Sequence, residues 1–276
     1  MEPLESSGDG LEGGARQPRV NRAELRSLLL DAGRAILLER GLQTQASSLT
    51  FKAALNRVEA DTGLQFSNAS IIGRIWKDQR EFRLEVLNAV ASVDFRSEID
   101  AVVAAIAPVL AASDLSTEAS RSAALREVCR VGGARHVKAL RDSSTFALWI
   151  GLWSIAASSD SSTEQRELHE ALMQGYEVIN GHFEEAFGGL MDLLEVQVRK
   201  PLTVRQFADA VGALVEGCSL RDRVTEGMVN IMRPTGPDGQ MQEWTTFSIG
   251  LVALANEFFE PIRSSDRSDR DIHRDR

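Results

Sequence analysis

The chain has 276 residues, 43% hydrophobic and 6% aromatic, with a formal net charge of −9. That length can bury one or two substantial cores, and the acidic balance taken alone argues against nucleic acid as a partner of the whole surface. Abundant alanine and leucine, seven prolines and no run of alternating Val, Ile and Thr predict an all-α protein.

Residues 1–20 are rich in Gly, Glu and Ser and lack the apolar core of a signal peptide, so they are expected to be a disordered tail. A first helix is expected over 22–40, with Leu25, Leu28, Leu29, Ala32 and Ile36 inward and Gly41 as its stop. Thr50 can cap a second helix whose stripe is Phe51, Ala54, Leu55 and Val58, and Gly63 follows where a left-handed residue belongs. Leu64 and Phe66 then turn inward. Ser67 offers an N-cap for a third helix over 68–76, with small polar positions in front and Ile71, Ile72, Ile75 and Trp76 packed behind. Asp78 and Glu81 make a capping box for a fourth helix, running to Ala112 either continuously or with a break.

Residues 16–83 hold twelve Lys/Arg against seven Asp/Glu, a local charge of +5 that leaves −14 for the remainder. A basic module on an acidic body fits one local phosphate contact. A short helix with a polar front, presented by a turn, is also how a helix-turn-helix offers side chains to the major groove. The same features suit a plain three-helix subdomain with surface arginines.

The body continues with a fifth helix over 117–141 and a sixth over 146–157, FALWIGLWSIAA, which is apolar all round and therefore either fully buried or the wall of a cavity. The seventh, over 162–198, carries Leu168, Leu172, Tyr176, Ile179, Phe183, Phe187, Leu190 and Leu194, and glycines 175, 181, 188 and 189 weaken it. An eighth helix, 203–224, and a ninth, 242–259, flank the link RPTGPDGQ. Their apolar faces are wide enough to serve the protomer core and a second subunit. Residues 264–276, SSDRSDRDIHRDR, form a second expected tail. The longest apolar runs, 101–112 and 146–157, fall short of the ~20 residues that span a bilayer, so a soluble cytoplasmic protein is expected. Cys129 and Cys218 read as small buried hydrophobes rather than a redox pair.

This layout resembles the TetR-family transcriptional regulators. The likeness is carried by TGLQFSNASIIGRIWKDQREFRLEVL, residues 62–87, and by LTVRQFADAVGALVEGCSLR, residues 202–221. It implies a DNA-binding unit over 21–85, a ligand-binding and dimerisation unit over 86–263, a palindromic DNA operator, a homodimer and a small effector. The chain departs from the family in its longer turn before Ser67, in Ile72 where a tyrosine is common, in Trp76 where a phenylalanine packs, and in Gln79 or Lys77 at the place of a lysine.

Ser67, Asn68, Ser70 and Arg74 are the expected groove-facing positions, Asn and Arg being suited to paired bonds with adenine and guanine edges. Thr50, Lys52, Lys77 and Arg80, at or beside helix starts, are the expected phosphate contacts, with capping as the other use of Thr50. For the effector, Phe146, Trp149, Trp153, Tyr176 and Phe183 are the expected apolar lining, with His182 or His136 as a polar handle; core packing is the plainer use of the same aromatics. The sequence holds no HExxH, GxSxG or P-loop and no Cys–His metal spacing, so no catalytic residue, metal ligand or cofactor is expected. The alternative to a regulator is an all-α interaction or structural protein that binds no DNA.

Overall fold

Side-chain caps decide where most of the helices start. The computed structural model describes residues 20–40, 49–93, 95–157, 163–225, 230–235 and 239–262, and the chain is mainly all-α. Helix α1, Arg22–Arg40, opens on a reciprocal pair: Glu24 N–H donates to Asn21 Oδ1 at 2.9 Å, and Asn21 N–H to Glu24 Oε2 at 2.8 Å. It buries Leu25, Leu29, Ala32 and Ile36, as its spacing predicts. Helix α2, Phe51–Thr62, is capped by Thr50, whose Oγ1 accepts from Ala53 N–H at 3.0 Å. It ends on Gly63 at φ 73°, where a Cβ would be strained. Gly41 and the expected tails, apart from Val20, lie outside the described residues.

The expected third helix is the main correction. Residues Asn68–Ser70 form one 3-10 turn, and the chain then bends through Gly73 at φ 72°, whose N–H donates to Trp76 O at 2.8 Å. A left-handed residue in the middle of the segment interrupts the i to i−4 ladder that a helix over 68–76 requires. Ile71 and Trp76 still pack inward as expected, whereas Ile72 is 52% exposed.

Helix α3, Gln79–Ala91, starts from Asp78, whose Oδ1 accepts from Arg80 N–H and Glu81 N–H at 2.9 Å each. The returning Glu81 carboxylate takes Lys77 N–H rather than that of Asp78, so the expected box closes one residue early. The expected fourth helix takes its broken form, because α4, Arg96–Ala112, begins only after Phe95 at φ 50°. Phe95 is buried against Phe146 and Trp149, and this contact fixes the bend.

Helix α5, Glu118–Asp142, is capped by Thr117 with Ser120. It lies close to α4 and to the C-terminal helix because Gly132 and Gly133 give it a bare face: a Cβ on Gly133 would sit 2.6 Å from Ser248 Oγ. Helix α6, Ser144–Ala156, packs on α7, Thr163–Leu194, and on α3. It is buried on one side only, through Phe146, Leu148, Trp149 and Leu152, while Ile155 is 41% exposed. Of the two expected uses of this helix, burial all round is therefore corrected.

After α7 the chain adds small β elements that the sequence reading missed. Strand β1, Val196–Val198, pairs antiparallel with β4, Phe259–Pro261, so residues expected as the last turns of helix are extended. Helix α8, Val204–Val224, has the Thr203–Gln206 capping box. A hairpin of β2, Ile231–Pro234, and β3, Met241–Trp244, leads into α9, Thr246–Phe258. Helices α8 and α9 pack on each other and both lie on α5. No helix among the described residues is long and apolar enough to cross a membrane.

Candidate ligand cavity and basic face

The basic face is built on a tight aromatic trio. Phe51 of α2, Trp76 and Phe82 of α3 meet at ring-centroid distances of 4.9 to 6.1 Å, and all three are buried. The one polar atom of the Trp76 ring, Nε1–H, donates to Glu85 at 2.6 Å, and Glu85 also pairs with Arg26 of α1. Arg83 Nε–H reaches Leu49 O at 2.9 Å and ties α3 to the entry of α2. These contacts hold the 68–76 segment even though it is not helical.

Ser67, Asn68 and Arg74 of this segment are exposed, as are Lys52, Lys77 and Arg80 at the two helix starts. Thr50 is half-buried and occupied with its cap. The backbone of Ser70 closes the 3-10 turn, and its side chain lies outside what is described. The expected DNA-contact residues thus sit on neighbouring elements of one small unit, on a turn where a reading helix was expected.

A cavity of about 440 Å³ opens among α4, α5, α7, α8 and α9. Its walls are aliphatic on the α4 side, with Val102, Ile106 and Leu110, and aromatic on the other, with Phe183, Phe187, Phe207, Phe247 and Phe259. The rings brace one another: Phe187 meets Phe207 edge-on at 4.8 Å, and Phe207 meets Phe259 at 4.6 Å. Exposed Arg96, Asp100 and Glu185 form the rim. Arg96 pairs with Asp100 at 3.1 Å and Glu185 at 3.4 Å, and its Nη1 lies 3.1 Å from His182 Nδ1.

Two further groups line the cavity. His136 is buried between Phe183 and Phe247, and burial pushes its pKa down to about 4, so it is neutral at pH 7. Burial pushes the Cys129 thiol up to about 12. A nucleophilic Cys–His pair needs the opposite shifts, a stabilised thiolate beside a stabilised imidazolium. Neither burial-driven shift is of that kind.

Of the expected lining, His182 and Phe183 do border this cavity, as does His136. Phe146, Trp149, Trp153 and Tyr176 are not among its lining residues. Trp149 meets Trp153 at 5.5 Å and Trp153 meets Tyr176 at 5.7 Å, a chain of rings that runs from α6 to α7 instead. The wall that does form uses Phe183, Phe187 and Leu190 of one stripe on α7, and Phe207 and Phe247, whose spacing marked them as core-facing. Bare Gly132 and Gly189 border the same space, and glycine beside an apolar stripe was the available signal.

Compared with known proteins, the chain matches no family model, and no curated protein matches it. Function therefore has to follow from the cavity and the basic face themselves.

Proposed function

We propose that this protein is a TetR-like transcriptional regulator, acting as a repressor: a homodimer whose basic N-terminal face binds a palindromic DNA operator and whose body takes a small apolar effector that releases it. The observation that carries this reading is the link between the two candidate sites. Helix α4 walls the cavity and supplies its rim Arg96, and it follows directly on α3, whose N-terminal end presents Lys77 and Arg80. An effector that favours one setting of the α3–α4 bend by ~1–3 kcal/mol changes operator affinity 5- to 150-fold. Dimerisation draws support from Ala213, Gly217, Leu220 and Val224, an exposed apolar stripe along α8 at steps of four, three and four residues. Nothing in the cavity calls for a catalytic step, a cofactor or a metal, and the site of action fits the cytoplasm.

The 3-10 turn at Asn68–Ser70, standing where a reading helix was expected, favours a second reading: an all-α ligand-binding protein with no DNA activity. A retardation assay on the DNA upstream of its own gene, at roughly 50 and 200 mM salt, separates the two. The regulator is expected to shift this DNA with a steep loss of affinity at the higher salt. Arg74→Ala is expected to cost ~1–3 kcal/mol on the operator, and Lys77→Gln to weaken all sequences alike and lower the salt slope by about 1. Absence of any shift at the lower salt would leave the second reading standing.

A further inference from the structure

Two arginines make the cavity long rather than compact. At the start of α4, Arg96 pairs with Glu185 of α7 at 3.4 Å. Past the end of α4, Arg121 of α5 donates to Leu115 O at 2.9 Å and pairs with Glu195, the residue after α7, at 3.1 Å. Helices α4 and α7 are thus tied at both ends and run in the same direction. Between the ties both line the cavity, α4 from Arg96 to Leu110 and α7 from His182 to Leu194. At about 1.5 Å per residue these stretches are ~18–21 Å long, whereas a sphere of 440 Å³ would be only about 9 Å across.

The space meets solvent along that length. Every exposed residue of the lining belongs to α4 or α7: Arg96, Asp100, Val103 and Ala107 at steps of four, three and four, and Glu185, Gly189 and Leu193 at steps of four. Each set is one row of its helix, so the two rows are the edges of a slot. Beyond its first turn the slot is apolar, with Val103 and Leu193 exposed on opposite edges. Its charges gather at one end, where Arg96 meets both Asp100 and Glu185, one cation to two carboxylates. An anion would meet excess negative charge at that end and lose its hydration against the apolar walls elsewhere.

We infer that the cavity takes a single-chain amphiphile, its unbranched alkyl tail lying along the α4–α7 slot and its uncharged polar head at the Arg96 end. This rests on the effector-binding part of the proposed function and names the class of effector. An extended tail advances about 1.25 Å per carbon, so ~18 Å of slot takes up to ~14 carbons.

Equilibrium dialysis of the full chain at pH 7.5 measures binding of 1-octanol, 1-nonanol, 1-decanol and 1-undecanol, of undecanoate, and of 1-adamantanemethanol, whose carbons form a compact cage. Each added carbon of the linear series is expected to lower Kd about fourfold, the gain for one buried methylene. The cage alcohol should bind at least ten times more weakly than the linear alcohol of equal octanol–water partition. Undecanoate should bind at least ten times more weakly than 1-undecanol, and Glu185→Gln, which removes the excess charge at the Arg96 end, should narrow that gap. Cage and linear alcohols binding alike, or a gap unchanged in Glu185→Gln, overturns the inference while leaving the cavity as a binding site. Binding of none of these compounds overturns both.

Discussion

The two ends of this molecule use aromatic residues in opposite ways. Around Phe51, Trp76 and Phe82 the rings are buried against one another, and the Trp76 N–H is satisfied by Glu85. In the body Phe183, Phe187, Phe207 and Phe247 instead stand round a space of about 440 Å³ that the chain leaves open. Dense packing holds a surface in one geometry, because a close-packed interior transmits small displacements and resists them. An unfilled apolar space forgoes dispersion contacts that a ligand can supply. The N-terminal rings therefore pack against one another, whereas the rings of the body border an open apolar space.

The strongest way to break this contrast is truncation. Phe82→Ala, in the trio, is expected to cost ~3–5 kcal/mol of unfolding free energy, as large-to-small changes in filled cores do. Leu110→Ala, on the cavity wall, removes a side chain that already faces open space and should cost under about 2 kcal/mol. Urea denaturation of both variants measures the difference, and equal losses would refute it.

Acid sharpens the same contrast, because the groups pushed furthest towards neutrality lie in the body. The His136 pKa falls from its ordinary 6.5 to about 4 on folding, so the unfolded chain binds the proton more readily between those values. Folding stability is therefore full above pH 6.5 and is lost as pH falls towards 4, by ~3 kcal/mol in all. Glu216 on α8 has the opposite sign: burial raises its carboxyl to about 7, so stability falls as pH rises from 4.5 to 7. The two slopes offset one another in the native chain. Glu216→Gln should remove the second and expose a stability that climbs steadily from pH 4 to 6.5. A flat profile in this variant would count against a neutral, desolvated His136.

The smallest effects concern glycines of α7, which touches both regions. A Cβ on Gly175 would lie 2.4 Å from the carbonyl oxygen of Ala91, where α3 meets α7, so Gly175→Ala is expected to destabilise by ~1–3 kcal/mol. At Gly189, which borders the cavity, nothing lies within 4 Å of the added carbon. There alanine is expected to stabilise by ~0.5–1 kcal/mol through helix propensity alone. Thermal melts of the pair decide it, and a shift of the same sign in both would contradict the packing described at the α3–α7 junction.

What could be read from the sequence was what depends on neighbours along the chain. Thr50 and Asp78 cap helices as expected, and the helices expected from 117 and from 203 begin one residue later, behind the caps Thr117 and Thr203, because a cap involves only three or four consecutive residues. The stripes of α1 and α2 were legible for the same reason, since helical spacing alone puts Leu25, Leu29, Phe51 and Val58 on buried faces. The exposed basic residues from Lys52 to Arg80 were also legible, as charges that no core would accept.

Tertiary structure decided the rest. Gly73 could have continued a helix; it turns left-handed where Ile71 and Trp76 are drawn into the core on either side of it. The bend at Phe95 depends on Phe146 and Trp149, some fifty residues away. Periodicity marks an aromatic ring as inward-facing without saying whether a neighbour fills the space before it. For Trp149 and Trp153 other rings do, and for Phe183 and Phe187 the facing helices α4 and α5 stand back far enough to leave a cavity. A void is a property of several helices at once, fixed by their separations, and no single stretch of sequence encodes it.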